Sequence, residues 1–457
     1  MASPALALIV GTLFAQTARA ATAWRFEPPS TSPTEQSGNY TGFSNDTIND
    51  TEVVEGKVFN RFVQIWLENT DFDDARTTPA WENLTSRGLL LSAFHGVTHP
   101  SEPNYLASIG GDFWGLQDDD YYHIPENIST VVDLLEDAGV SWATYQENMP
   151  TDHFYGSSYT SHNYLNASAE DYTFYVRKHN PLGVYDSVSQ NKARQGRIRN
   201  FNDFANDIVN GSLSQWMFIT PNMVNDAHDT TTDFAAAFIE YWLFPLLEDE
   251  RFNDDGTIIV LSFDENETWD VQNHIYTLVL GNGLPEDLVG TTDDTFYTHF
   301  SLLSTVQANW GLKNLGRNDV NTTMSNVFDF VARETGFENT NVPEDARPLL
   351  NISGFAGPLN SESYIPFYAP DDLTAIGAGG QGVFVSDSLD TSVTYGSLGE
   401  STNLTSIDSQ SPWIVVEDKS EAKVAVFAKE GNGAAPVTTN MLAAVSAAVI
   451  IAAAVYL

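Results

Sequence analysis

Two stretches of this chain share one shape. Residues 62–67 (FVQIWL) form an apolar, β-branched and aromatic run that stops abruptly at Glu68 and Asn69. Far downstream, residues 257–263 (TIIVLSF) do the same and stop at Asp264, Glu265 and Asn266. Short apolar runs bounded by polar residues predict buried strands. Between and after them the period changes. PAWENLTSRGLLLSAF predicts a helix and a short strand, NYLASIGG a helix opening near Ser101, residues 128–138 an amphipathic helix closed by Gly139, and VSWATYQE a strand. Residues 215–220 predict another strand, 232–247 a helix with an apolar face, 273–280 a returning strand, and THFSLLSTVQANWGL a helix starting at His299. Strands alternating with helices predict an α/β fold whose mostly parallel central sheet is covered by helices on both faces.

Elsewhere the pattern lapses. Residues 21–55 are Thr, Ser, Asn and Pro with little periodicity, which predicts an exposed, glycosylated arm ahead of a catalytic domain over 56–350. Residues 148–180 are polar and aromatic and predict a long loop region over the site. From 351 to 431 short pieces punctuated by Gly, Ser and Thr predict an irregular or β region, packed beside the domain or forming a stalk.

Composition narrows the function. A net charge of -41 excludes a general nucleic-acid binder, because no basic stripe is available to neutralise phosphates. It also repels anionic substrates, so a phosphate site here needs local positive charge from a metal, histidines or a few arginines. The absence of cysteine excludes disulfides and thiolate chemistry. Both ends carry sorting signals. An apolar stretch over 5–15 followed by Ala18-Arg19-Ala20 predicts a signal peptide over 1–20, although no basic residue precedes it. At the other end an apolar run over 441–457 follows a polar spacer and the small residues Asn432, Gly433 and Ala434. That layout predicts a GPI-attachment signal over 432–457 with Asn432 as the lipidated residue and Gly431 next in line; an ordinary membrane anchor is the alternative. Acceptor sites for N-glycans stand at Asn39, Asn45, Asn49, Asn83, Asn127, Asn166, Asn210, Asn266, Asn321, Asn351 and Asn403, which agrees with export. Asn266 is the exception, because a glycan there would block the site that its neighbours form.

If both acidic corners belong to one parallel sheet, Glu68, Asn69, Asp264 and Glu265 converge at the carboxyl ends of strands, where open α/β sheets collect their ligands. Four oxygen donors suit a hard divalent cation, whose identity stays open. Ser101, near a helix N-terminus, sits where unpaired N–H groups and the helix dipole favour a phosphate oxygen.

LENTDF, THPSEPNY, PNMVNDAHD and SFDENE, in that order, resemble the phosphoesterase family that holds secreted acid phosphatases and bacterial phospholipases C. The linking pieces GVSWATYQENMP and RKHNPLGVYD are similar to its phosphatase branch, and the exported, GPI-anchored context to its fungal members. The resemblance extends from about residue 59 to 315. It implies an alkaline-phosphatase-like α/β sandwich, a metal ion held by Glu68, Asn69, Asp264 and Glu265, and Ser101 as nucleophile in a phosphomonoesterase that passes through a phosphoserine. Ser rather than Thr at the nucleophile position departs from the phospholipase branch.

Histidines complete this expectation. His99, His228 and His299 each adjoin a motif, His228 between Asp226 and Asp229, and one of them, protonated near pH 5, would supply the leaving-group proton. His274 is spaced to return to the centre. His95, His123, His153, His162 and His179 read as surface or loop residues, although the cluster Arg177-Lys178-His179 is suited to a phosphate oxygen. The expected partners are a phosphomonoester, a membrane through the GPI anchor, and cell-wall glycans. Two rivals remain. A phospholipase C would need an apolar mouth, for which Trp114, Tyr121 and Tyr122 are available, whereas a wall-anchored glycoprotein with a dead site is opposed by intact residues at every motif.

Overall fold

A computed structural model describes residues 24–44, 48–50, 52–351, 355–360 and 362–401. The expected signal peptide and the GPI-attachment signal with Asn432 lie outside these residues. The central sheet has eight strands: β1 (Arg61–Leu67), β2 (Leu89–Leu91), β3 (Trp142–Gln146), β4 (Ile198–Asn200), β5 (Trp216–Thr220), β6 (Thr257–Phe263), β7 (Thr277–Leu280) and β8 (Thr292–Asp293). Their order across the sheet is β8-β2-β7-β6-β1-β5-β3-β4. β1 lies between β6 and β5 and runs parallel to both, while β7 alone runs antiparallel to its neighbours. Every residue of β1 after Arg61 is buried, and so is all of β6, which explains their unbroken apolar runs.

Helices cover both faces. The labelled ones are α1 (Pro79–Thr85), α2 (Ser101–Gly110), α3 (Val131–Asp137), α4 (Phe201–Asn210), α5 (Thr232–Leu247) and α6 (His299–Trp310). Successive strand residues point to opposite faces. Trp66 meets Tyr105 of α2 at 4.8 Å and His299 of α6 at 4.4 Å, whereas Phe263, level with the next residue Leu67, meets Trp81 of α1 at 5.6 Å on the other side. α3 begins at Val131 rather than 128 because Thr130 and Asp133 form a reciprocal cap there. Among the described residues no helix is long and apolar enough to cross a membrane.

Three regions differ in detail from their sequence pattern. The stretch 148–180 contains an antiparallel pair of strands, Ser158–Ser161 and Tyr172–Val176, leading into a tight turn at Arg177–His179. The described part of 21–55 is not a free arm. Phe26 packs on Phe234, Phe238 and Tyr241, Tyr40 on Phe201, and Asp50 pairs with Arg197 at 2.7 Å, so aromatic anchors spaced through a polar composition hold it to the domain. Beyond 351, Phe367 and Tyr368 pack on Trp114, and isolated bridges join Asn314 to Val383 and Ala369 to Thr394.

Candidate active site

One backbone hydrogen bond just past the end of the β1–β6 ladder, and one to the loop after β5, set the site. Asp264 N donates to Leu67 O at 3.0 Å, and Glu68 N donates to Asp226 O at 2.9 Å, so three acidic residues from β1, β6 and the loop after β5 meet at the carboxyl edge of the sheet. Asn69 follows at φ +29°, a left-handed turn that Asn tolerates better than most residues. The turn lets Asn69 N donate to Asp264 Oδ1 at 3.2 Å.

Into this corner α2 delivers Ser101 as its first residue. Ser101 Oγ donates to Glu68 Oε2 at 2.8 Å and lies 3.5 Å from Asn69 Oδ1. Tyr105, one turn along α2, donates its hydroxyl to Glu68 Oε1. Asn104 locks the preceding loop by accepting from Val97 N at 2.8 Å and donating to Thr98 O at 2.8 Å. Ser101 itself is 1 % exposed, and Asn69, His228 and Lys178 are the neighbours that retain solvent-facing surface.

Glu265 faces elsewhere. Its Oε2 lies 2.7 Å from His99 Nδ1 and 3.4 Å from Asn104 Nδ2, behind the corner rather than in it. Burial raises the Glu265 carboxyl well above its usual range, with Asp264 adding to the effect, and burial lowers His99 to about 4. Both are thereby driven to uncharged forms, and we read the close contact as carboxyl to imidazole rather than as an ion pair. His299 is fully buried, stacked on Trp66 with Nε2 at 2.6 Å from Asp264 O, and burial lowers it to about 4. Burial thus disfavours the charged form of both, and both lie against the acidic corner, His99 beside Glu265 and His299 on the Asp264 carbonyl. His274 stays away, stacked between Phe72 and His95 and bonded to Ser92 O at 2.8 Å.

The residue that periodicity missed is His179. It is 2 % exposed, stacks on Tyr105, and places Nε2 3.2 Å from Glu68 Oε1 and Nδ1 3.6 Å from Asp226 Oδ2. His228 stands beside it, its Nδ1 2.8 Å from Asp229 Oδ1 and its Nε2 3.4 Å from Lys178 Nζ. Glu68, His179 and His228 each offer a ligand atom within 4.8 Å of the other two.

The electrostatics fit a cation. Burial, and then mutual repulsion with Asp264 and Asp226, raises the Glu68 carboxyl well above its usual range. Burial likewise raises Asp226 and pushes Asp264 up to about 6. Asp264 Oδ2 and Asp226 Oδ2 are buried without a hydrogen-bond partner. Carboxylates held this close in low dielectric, with orphan oxygens and two imidazoles beside them, suit a divalent ion that takes mixed oxygen and nitrogen donors.

The aromatic mouth that a phospholipase would need is missing at the expected residues. Trp114 and Tyr122 are fully buried, and the Tyr121 ring is covered by the Arg177 guanidinium at 4.1 Å.

The chain is similar to several known proteins. An acid phosphatase of Aspergillus fumigatus is 46 % identical over 312 residues, 68 % of this chain and 67 % of that protein. A probable acid phosphatase of Kluyveromyces lactis is 43 % identical over 379 residues, 82 % of this chain and 86 % of that protein. A solved structure of a protein in the alkaline phosphatase superfamily from Vibrio parahaemolyticus is 12 % identical, covers 59 % of this chain and 72 % of that one, and superposes with a TM-score of 0.34. The model of the Phosphoesterase family matches residues 44–313, a stretch that carries Glu68, Ser101, Asp226 and Asp264, and the chain belongs to that family.

Proposed function

We propose that this protein is an acid phosphatase, a phosphomonoesterase whose nucleophile is Ser101. One observation carries the reading: a serine hydroxyl at the start of a helix donates to a buried carboxylate, Glu68, at a corner where Asn69 and Asp264 also converge. Serine is a weak nucleophile at its own pKa and needs a base or a cation beside it. Glu68 Oε2 is placed to take the Oγ proton as the bond from Oγ to phosphorus forms and the bond from phosphorus to the leaving alcohol breaks. His228, the one motif histidine with solvent-facing surface, is placed to return a proton to the departing oxygen. Water then attacks the phosphoserine, and inorganic phosphate and free Ser101 result.

Glu68, Asp264, Asp226 and His179 would hold a divalent ion, with Asn69 at the rim. Such an ion lowers the pKa of an attacking oxygen and offsets charge on the transferring phosphoryl group. From the signal pattern at residues 1–20, the pattern at 432–457 and the glycan acceptor sites we further propose export, attachment at Asn432 and a cell-surface enzyme facing an extracellular substrate.

The test is to quench turnover of a phosphomonoester in acid and map the labelled peptide. Phosphate is expected on Ser101, and Ser101→Ala is expected to lose both the label and at least about 10³-fold in activity. Label on another residue, or activity in Ser101→Ala within tenfold of the parent, would overturn the assignment.

A further inference from the structure

The acidic corner poses a problem for its own substrate. Glu68, Asp226 and Asp264 are buried together in a chain of net charge -41, and a phosphate dianion must approach all three. Charge from the protein's own side chains has to come from the turn Arg177–His179. Two of its three residues are committed. Arg177 donates from Nη2 to Tyr122 O at 2.8 Å and Gly183 O at 3.0 Å and sits 4.1 Å over the Tyr121 ring, while His179 faces Glu68.

Lys178 is different. Its side chain keeps 17 % exposure, with Nζ 2.9 Å from Asp119 Oδ2 and 3.4 Å from His228 Nε2. An ammonium has three donors, and these contacts leave one for a ligand. Asp119 accepts from Lys178 with one oxygen and from Glu102 N, in the first turn of α2, with the other at 3.0 Å. One carboxylate thus ties the ammonium to the helix that carries Ser101.

From this geometry we infer that Lys178 Nζ binds a phosphoryl oxygen of the substrate and of released phosphate, with Asp119 as its positioning residue. The inference rests on the Ser101 reading for the reaction, but the binding it describes does not require turnover. A phosphate oxygen takes the free donor, while Asp119 holds the amine beside the helix that carries Ser101. A point charge on a flexible stem is suited to follow the phosphoryl group through transfer, in contrast to the pinned Arg177 fork.

The test measures binding of inorganic phosphate by calorimetry to ion-loaded, full-length Ser101→Ala protein, with and without Lys178→Met, Lys178→Arg or Asp119→Asn. Steady-state kinetics are run in parallel on the same Lys178 and Asp119 variants with Ser101 intact. Lys178→Met is expected to weaken phosphate binding by about 10- to 100-fold, the scale of one charge-assisted hydrogen bond, and Lys178→Arg to recover part of it. Asp119→Asn is expected to raise KM more than it lowers kcat. Phosphate binding within twofold of the parent in both Lys178 variants overturns the proposal, as does a loss confined to kcat. Failure of the Ser101 assignment would appear separately, as phosphoserine elsewhere with the Lys178 effect on binding intact. If Lys178→Met does not fold, Lys178→Gln takes its place, and phosphate binding within twofold of the parent in that variant overturns the proposal equally.

Discussion

Ser101 Oγ lies 2.8 Å from Glu68 Oε2, and Glu68 Oε1 is held on its far side by Tyr105 and His179. A carboxylate clamped at one oxygen with the other aimed at a serine has a fixed task, and its charge has a fixed cost. Glu68→Gln keeps size and polarity but removes the proton acceptor, so activity is expected to fall by about 10²- to 10⁴-fold. The same change removes one of three buried carboxyls that raise one another's pKa. In a chelator at pH 7.5 the variant is therefore expected to melt above the parent, and with a divalent ion present the order is expected to reverse. Calorimetry of both proteins, with and without chelator, checks this. The parent melting higher in both conditions would contradict a cation site at Glu68.

A second buried carboxylate, Glu147, sets a pH dependence that can be isolated. It follows β3, accepts from Asn222 N at 2.8 Å and from Asn225 Nδ2 at 2.8 Å, and so anchors the loop that presents Asp226 and His228. Burial raises it to about 7 in spite of these hydrogen bonds. A carboxyl whose folded pKa exceeds its unfolded value binds its proton more tightly in the native state. The stability it confers is therefore complete below about 4.5 and is lost as pH rises through 7. Glu147→Gln has no such term. Whatever the fixed effect of the substitution, the stability of the variant relative to the parent is expected to climb by up to about 3 kcal/mol between pH 4.5 and 8. Denaturant titrations at four pH values give the slope, and a flat difference would exclude an elevated Glu147.

Asn266 bears on modification. Its side-chain nitrogen donates to Asp71 Oδ1 at 3.1 Å and to Thr268 O at 2.6 Å, using both hydrogens, and the residue is 1 % exposed. A glycan replaces one of those hydrogens and cannot be accommodated in this fold. Glycopeptide mapping of the exported protein is expected to find sugar at exposed sites such as Asn83, Asn166 and Asn210 and none at Asn266. Occupancy at Asn266 in active protein would contradict this loop conformation.

The parts of this site that lie at strand ends were legible in the sequence, and the parts that depend on side-chain direction were not. Two apolar runs ending in acid announced β1 and β6, because burial on both faces leaves no polar position until the strand emerges. Counting Asp264 and Glu265 together as ligands did not foresee the bend that follows β6, where Asp264 Oδ1 meets Asn69 N and Glu265 Oε2 lies 2.7 Å from His99 Nδ1. His179 had no periodic signal, since its approach to Glu68 is made by an irregular turn after a hairpin and spans a long sequence separation. His99 and His299 adjoin the right motifs, but nearness in sequence does not reveal that burial keeps them neutral.

The N-terminal segment is tied to the same loop. Its polar composition suggests a dispensable arm, yet Tyr40 is 2 % exposed, its ring 5.5 Å from that of Phe201, and the backbone around it is gripped from the domain by Asn202 and Asn148. Asn148 in turn accepts from Asn222, in the loop that carries Asp226 and His228. Tyr40→Ala removes a fully buried ring and leaves a cavity against α4, a loss of about 3 kcal/mol by analogy with other buried aromatic truncations. In a domain of this size that corresponds to a melting temperature lower by roughly 4 °C. If the segment only covers the fold, kcat/KM below the new melting point should be unchanged. Because its hydrogen bonds continue through Asn148 to Asn222, we expect kcat/KM to fall as well, and a Tyr40→Ala protein of parental melting temperature would show that the segment is not part of the folded domain.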